Sequence, residues 1–429
     1  MGRAVLSFGP KTHQSALWRS DHAPRSPRFL DPLPPVAPFD PYGDPFIPAL
    51  SGILTSMADG SVTVLPSLGT PYAGDDAPFI TTAFQYTDRV RLIGATYNVL
   101  SPIVLPAFRG LKLCGPVGAT QGGAGSPGVG AIIKANASWA AGGGPTAIVQ
   151  AGTAARQSIE DLWVDCTSLV AAGVDGVQFT GVGGTGNGGN IARVGVNNAT
   201  GLGVNAITGL GFLAENLIIQ NCVGGGYFCG VTDAIAYNVH AQNNQAVQIQ
   251  FNSGDNRAFG CRADGDGVTG STHGYVLNAF NGSGALGLGV ILEGCSTGGN
   301  LQNGVRCQGG GHNMYGPYQM TGCAFTGDGG GGTFAAIECI GRVAVTVVNC
   351  DVSTDVTGAF PAYGLQTDQN SGSLAVPDIV SVTGGLWQAH TGFINDAGPA
   401  TAHQITDLMG FLGAQNGTTG TTTYAAVPW

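Results

Sequence analysis

Charge is scarce in this sequence. Asp, Glu, Lys and Arg make up 10% of its 429 residues, against roughly 25% in an ordinary soluble domain. Lysine occurs only at Lys11, Lys112 and Lys134, and the formal net charge is −10. An acidic chain so poor in lysine has no electrostatic grip on nucleic acid or on an anionic membrane. No run of roughly 18 apolar residues occurs, which excludes a membrane-spanning helix. Met1 to Ser20 lacks a continuous apolar stretch, so the expectation is synthesis in a host cytoplasm without a signal peptide. Proline is missing from Thr146 to Gly316, as needed where every backbone N–H must find a neighbouring strand. The seven histidines have no metal spacing, and no Ser-His-Asp set or phosphate loop is present. No cofactor is expected.

What the chain has in excess is glycine, 73 residues, and it is placed periodically. Aligning IEDLWVDC, IARVGV, LIIQNC, IAYNV, NRAFGC, VILEGC, YQMTGC, VTVVNC and VSVTGG puts one turn type in a single column. That column reads Asp165, Gly195, Asn221, Asn238, Gly260, Gly294, Gly322, Asn349 and Gly384. All are residues that tolerate a left-handed backbone. The next column is small and apolar: Cys166, Val196, Cys222, Val239, Cys261, Cys295, Cys323, Cys350 and Gly385. From Cys166 to Cys350 the mean step is near 26 residues. A second strand follows each turn, with apolar residues alternating as in Val177/Phe179, Tyr227/Cys229, Val247/Ile249, Tyr275/Leu277, Val305/Cys307 and Ile337/Cys339. A strand, a tight turn, a second strand and a loop of variable length, repeated in this way, describe a solenoid coil. One coil cannot bury its own apolar face, whereas stacked coils can. The expected fold class is all-β, a right-handed parallel β-helix.

The ten cysteines fit the same pattern, nine of them falling at inward ladder positions. They read as reduced core filler rather than as a disulfide framework. The domain expectation is a Pro-rich extended arm over 1–50, a connector over 51–75, the β-helix over 76–415 and a tail over 416–429. Ten of the 23 prolines lie in residues 1–50, and aromatic and aliphatic residues from Trp18 to Ile47 punctuate that arm like anchors. Docking of the arm on partner chains is the expectation.

DDAPFITTAFQ, RVRLIGATYNVLSPIVLPAFRGLKLCGPVG, AIIKANASW, TAIVQAG and SIEDLWVDC resemble the opening of pectate-lyase-like β-helix proteins. Asp75, Asp76, Tyr97, Leu113, Gly115, Ile132, Lys134 and Ile159 to Leu162 stand in the matching places. The resemblance covers roughly residues 75–395 and implies an Asp-Asp and short helix capping the first coil. Together with the Pro-rich arm, it implies a phage minor tail protein or tailspike. That means a structural component of a bacteriophage tail, located in the virion and contributing to host cell-surface attachment. Its partners would be other tail proteins through residues 1–50 and a cell-surface polysaccharide. The alternative is a polysaccharide lyase or glycoside hydrolase of the same superfamily.

Candidate site residues come from two places. The outward column of the second strand reads Gln178, Phe228, Gln248, Val276, Arg306, Glu338, Gln366 and Ile394. There Arg306 and Glu338 form either an ordinary surface ion pair or part of a sugar-binding groove, with Gln248 and Gln366 as further contacts. The loop RADGDGVTGSTHG brings Arg262, Asp264, Asp266 and His273 close in sequence. It reads either as a turn, with Asp264 and Asp266 as a weak Ca²⁺ site, or as acid–base machinery. Acid–base machinery requires two carboxylates at a defined separation.

A homotrimer is the expected assembly. The positions expected to face outward before the turn are Val164, Val194, Gln220, Tyr237, Phe259, Glu293, Thr321, Val348 and Thr383. Two positions earlier stand Leu162, Ala192, Ile218, Ile235, Arg257, Ile291, Gln319, Thr346 and Ser381. Half of these are large and apolar, which marks an interface.

Overall fold

The computed structural model describes most of residues 54–396. It leaves out 57–58, 68–73, 108–109, 117–129, 140–146, 153–155, 182–186, 267, 280–288, 310–314, 330–331, 342, 354–360, 369–378 and 388–391, and beyond 396 it describes 404–405 and 423–424. The Pro-rich segment 1–50 lies outside the described residues, as does all of 416–429 but that last pair.

The chain begins with a hairpin. Leu54–Ser56 runs antiparallel to Val62–Val64, and the second of these already stacks in parallel on Arg89–Leu92. Every other described strand pairing is parallel. Between these two rungs lies the helix Ala77–Ala83, with Pro78 in its first turn, where a missing N–H does no harm. The Asp-Asp pair ties this helix down. Asp75 accepts the N–H groups of Ala77 and Leu100 and the hydroxyl of Ser101; Asp76 accepts the N–H of Ser67. Phe79 and Ile80 are fully buried beneath it.

Each coil then carries three short strands, which stack into three parallel sheets. In the first sheet the inward column reads Leu113, Ile159, Ile191, Ala214, Ala236, Ala258, Leu292, Met320, Val347 and Val382, all buried. The third sheet answers with Val149, Val177, Val204, Tyr227, Ile249, Tyr275, Val305, Ile337 and Leu365. Period-two alternation thus built the core it implied, a parallel β-helix. The cysteines sit inside it, and all ten are buried and free.

The corner column needs correction. Several coils have two left-handed corners, one on either side of the second sheet, as at Asn216/Asn221 and Asn238/Asn243. Strand register aligns the first corner as Asp161, Arg193, Asn216, Asn238, Gly260, Gly294, Gly322, Asn349 and Gly384, all at positive φ. Asp165 and Gly195 are instead ordinary strand residues, and Asn221 belongs to the second corner. The Gly/Asn/Asp signal failed here because an arginine, at φ 55°, holds the corner of one coil. Cys166 and Cys222 accordingly lie outside the cysteine column Cys261, Cys295, Cys323 and Cys350.

This shift also dissolves half of the apolar outward face. Leu162, Val164 and Val194 are fully buried, and Ala192 and Gln220 nearly so. The true outward columns of the first sheet run Glu160, Ala192, Glu215, Tyr237, Phe259, Glu293, Thr321, Val348 and Thr383, beside Ser158, Asn190, Leu213, Ile235, Arg257, Ile291, Gln319, Thr346 and Ser381. An apolar core of Leu213, Ile235, Tyr237, Phe259 and Ile291 remains, ringed by Glu215, Arg257 and Glu293. Tyr237 and Phe259 stack at 5.0 Å between ring centroids.

Candidate functional site

The candidate residues divide between two sheets. Arg262 and Asp264 lie on one strand of the second sheet, where His240 is in register with Arg262 on the preceding coil. Arg262 Nε and His240 Nε2 both meet Asp264 Oδ2, the imidazole at 3.2 Å. Asp264 is almost wholly buried, whereas Arg262 is exposed. Asp266 sits in a left-handed turn at φ 45°, and burial, with help from the Asp264 charge, raises its carboxyl above the usual range. Among the described residues no group of three or more carboxylates, imidazoles and thiols is arranged to hold a metal ion.

His273 does not join the two aspartates. The corner after Asp264 carries it to the third sheet, where Arg306 Nη1 reaches its Nε2 at 3.2 Å. The N–H of Asn303 approaches the other ring nitrogen at 3.4 Å. A neutral imidazole accepts at only one nitrogen. The guanidinium and the Asn303 N–H both only donate, so the neutral ring accepts from one of them at a time. Burial, then the Arg306 charge, pushes His273 down to about 4, so it is neutral at physiological pH. On its other side Arg306 Nε faces Glu338 Oε2 at 3.3 Å, as an ion pair whose N–H is not aimed at the oxygen.

The outward column of the third sheet is longer than the sequence suggested. Register aligns Gln150, Gln178, Asn205, Phe228, Gln250, Val276, Arg306, Glu338 and Gln366. Two residues expected there are elsewhere. Gln248 is fully buried, bonded to the Asn244 backbone and side chain and to Ser271 Oγ. It braces the corner from inside, and Gln250 takes its place on the face. Ile394 pairs with the inward residue Leu365. Alternation near 247–251 was read one residue pair too early, because Val247 imitates the inward type.

At the N-terminal end of this face the amides are already linked. Gln150 Nε2 donates to Gln178 Oε1 at 3.2 Å, and Gln178 Nε2 donates to Asp175 Oδ2 at 3.1 Å. Asn205 Nδ2 meets the same oxygen at 2.7 Å, and the Leu202 N–H takes Asp175 Oδ1. Even so, burial raises the Asp175 carboxyl against the pull of these donors. Gln150, Asn205 and Gln250 each stand alone between apolar residues, and Asp175 stands beside a glycine, so no motif marks them in the sequence. Only the strand register exposes them.

Carboxylate spacing decides what chemistry this face can do. Six coil steps separate Gln178, beside Asp175, from Glu338, which at one strand spacing each is ~29 Å. Glycoside hydrolysis needs its two carboxyl groups within ~5–10 Å. In this outward column, among the described residues, Glu338 is the sole carboxylate, and it is paired with Arg306.

No protein-family model and no curated protein matches the sequence. Solved structures do resemble it. The catalytic domain of a GH87 α-1,3-glucanase, solved with tetrasaccharides, aligns with 86% of this chain and 69% of its own, at a TM-score of 0.60 and 13% identity. Tailspike protein 2 of bacteriophage CBA120, in its enzymatically active domain, aligns with 82% of this chain at a TM-score of 0.54 and 12% identity. The chain spans about half of that tailspike structure, 49%. The fold they share with this chain is a parallel β-helix. At these identities the likeness carries the fold and no more.

Proposed function

We propose that this chain is a structural component of a bacteriophage tail that contributes to attachment by binding a cell-surface polysaccharide along its third sheet. The observation that carries the reading is the amide-rich outward column from Gln150 to Gln366, which lacks an acid pair at catalytic separation. Amide side chains both donate and accept, which suits a row of sugar hydroxyls. The coil repeat of ~4.8 Å sets them out in a line. A tailspike with the same fold supports the placement in a tail. The glucanase likeness keeps hydrolysis as the competing reading. Residues 1–50 are proposed as the tail-docking arm. The remaining apolar patch around Tyr237 and Phe259 is proposed as the contact of a homotrimer, which light scattering would show as a mass of roughly three times 43.2 kDa.

The test is retention on immobilised cell-surface polysaccharide. Wild type is expected to bind without releasing reducing ends or unsaturated products. Gln250→Ala combined with Gln366→Ala should weaken retention ~10-fold or more, as two lost hydrogen-bonding side chains imply. Release of products that stops in Glu338→Gln would overturn the attachment reading in favour of the enzyme.

A further inference from the structure

Basic side chains are rare in this protein, yet four of them converge at the N-terminal end of the first sheet. Arg89, Arg91, Lys112 and Arg193 line a cavity of about 570 Å³, together with Glu160 and Asp161. Strand register brings them there. Arg89 stands directly beside Lys112 on the next coil, and Arg91 stands beside Cys114 in the column that leads to Glu160.

Two features of this cluster are unexplained by folding alone. Like charges directly opposed on neighbouring strands destabilise a sheet, and Arg89 and Lys112 are so opposed. Both arginines also depend on a single carboxylate, Asp59. Arg91 Nη2 reaches its Oδ2 at 2.6 Å and Arg89 Nη1 the same oxygen at 3.8 Å. Arg91 Nε is left buried without an acceptor, which is costly for a charged donor. Both side chains are nearly half exposed, so they remain free to meet a ligand.

The far wall is rigid by contrast. Arg193 grips Asp161 through two contacts, at 2.7 and 3.0 Å, and also reaches Glu160, which takes Lys112 Nζ at 2.7 Å. Arg193 holds this grip from a left-handed backbone at φ 55°, a conformation that favours glycine. One wall is therefore neutralised and fixed, while the other presents two guanidinium groups sharing one carboxylate.

We propose that this cavity is a binding site for an oxyanion, the carboxylate or phosphate of a small acidic ligand, held by Arg89 and Arg91 with Lys112 beside them. Planar guanidinium groups match such oxygens in pairs. The bound anion would separate Arg89 from Lys112 and give Arg91 Nε its acceptor. The site lies on the first sheet, apart from the third-sheet face, and does not rest on the attachment reading.

Calorimetric titration of the full chain with inorganic phosphate and, separately, with glucuronate tests this. Binding of either probe is expected, and the probe that binds assigns the oxyanion to the phosphate or the carboxylate class. Arg89→Gln with Arg91→Gln should weaken that binding at least ~10-fold, the range for charge-assisted hydrogen bonds. Asp59→Asn should tighten it several-fold by removing the competing carboxylate. That variant keeps the proposal falsifiable if the double variant is poorly folded. Arg257→Gln, several coils further along the first sheet, should leave it unchanged. Absence of binding with both probes would overturn the proposal, as would loss in Arg257→Gln with no loss in the arginine pair.

Discussion

The first corner of the coil is built in two ways along the solenoid. Up to Asn238 it is made by residues with side chains, Asp161, Arg193, Asn216 and Asn238, and from Gly260 to Gly322 by glycine alone. The backbone problem is the same, a left-handed residue once per turn. A side chain there costs up to about 1–2 kcal/mol, least for Asn and Asp, but it can bond to the coil beside it. Arg193 bonds to Asp161 in this way, and Asn238 Nδ2 donates to Asn216 Oδ1 at 2.8 Å. Glycine avoids the strain, makes no such bond, and leaves a more flexible unfolded chain. The interiors differ in parallel. The first half packs Trp163 into its wall, whereas the second stacks Cys261, Cys295, Cys323 and Cys350; both halves bury carboxyl groups, Asp175 in the first and, most completely, Asp328 in the second.

The comparison breaks most easily at Trp163. Its fully buried ring lies across Gly195 of the next coil, and a Cβ there would fall 1.9 Å from Cε3. Gly195→Ala should cost about 3 kcal/mol or more, the upper range for overpacking a core. Gly94→Ala is the control, since a Cβ there meets nothing within 4 Å and no positive φ is involved. Chemical denaturation of the two variants measures the difference. Equal midpoints would mean that the first half is not jammed around this ring.

The second half should respond to pH through Asp328. Thr297 Oγ1, Asn300 N–H and Asn300 Nδ2 all donate to its carboxyl, yet complete burial outweighs them and pushes it up to about 7. The folded protein therefore holds a proton that the unfolded chain, near 3.8, has released. The stabilising contribution is whole below 3.8 and disappears as pH rises through about 7. It amounts to a few kcal/mol, on the order of 1.4 per unit. His273 acts in the opposite sense. Held near 4 against an ordinary 6.5, it contributes above 6.5 and loses that contribution as pH falls through 4. The difference between wild type and Asp328→Asn isolates the first effect. Melts across pH 4 to 8 should show the wild-type advantage over the variant shrinking as pH rises, and a pH-independent difference would contradict it.

How much of this was legible in the sequence follows from which residues repeat. The core columns were visible because inward positions must be apolar in every coil, and period two survives insertions in the loops. The corner column was legible only where glycine or asparagine held it, from Asn238 onward. At Arg193 a side-chain ion pair overrides the backbone preference, so the register drifted and Val164 and Val194 were placed outside the wall that buries them. Arg306 and Glu338 were placed correctly as neighbours because charge is conspicuous in a chain so poor in it. Gln150, Asn205 and Gln250 were not, since a single amide is indistinguishable from a loop residue until the strand beside it is known. The basic cavity was hidden for another reason. Arg91, Lys112 and Arg193 are far apart in sequence and meet only because coils of unequal length stack.

The smallest effect probes the corner itself. Gly260, Gly294 and Gly322 each have open space where a Cβ would go, at φ values of 58°, 60° and 59°. Asparagine fits such a backbone with little penalty. Gly294→Asn has glycine on both sides and gains no amide partner, so its stability should stay within about 0.5 kcal/mol of wild type. Gly260→Asn stands next to Asn238 and can continue the Asn216–Asn238 chain by one hydrogen bond, so it should stabilise by about 0.5–1 kcal/mol. The triple replacement joins that chain to Asn349 at its far end, creating bonds that no single variant contains. Its gain should exceed the sum of the three single effects, since neighbours that bond to one another are not additive. Strict additivity in denaturant unfolding would show that the side-chain corners of the first half are tolerated rather than cooperative, and that the two halves differ in composition but not in how their coils are held.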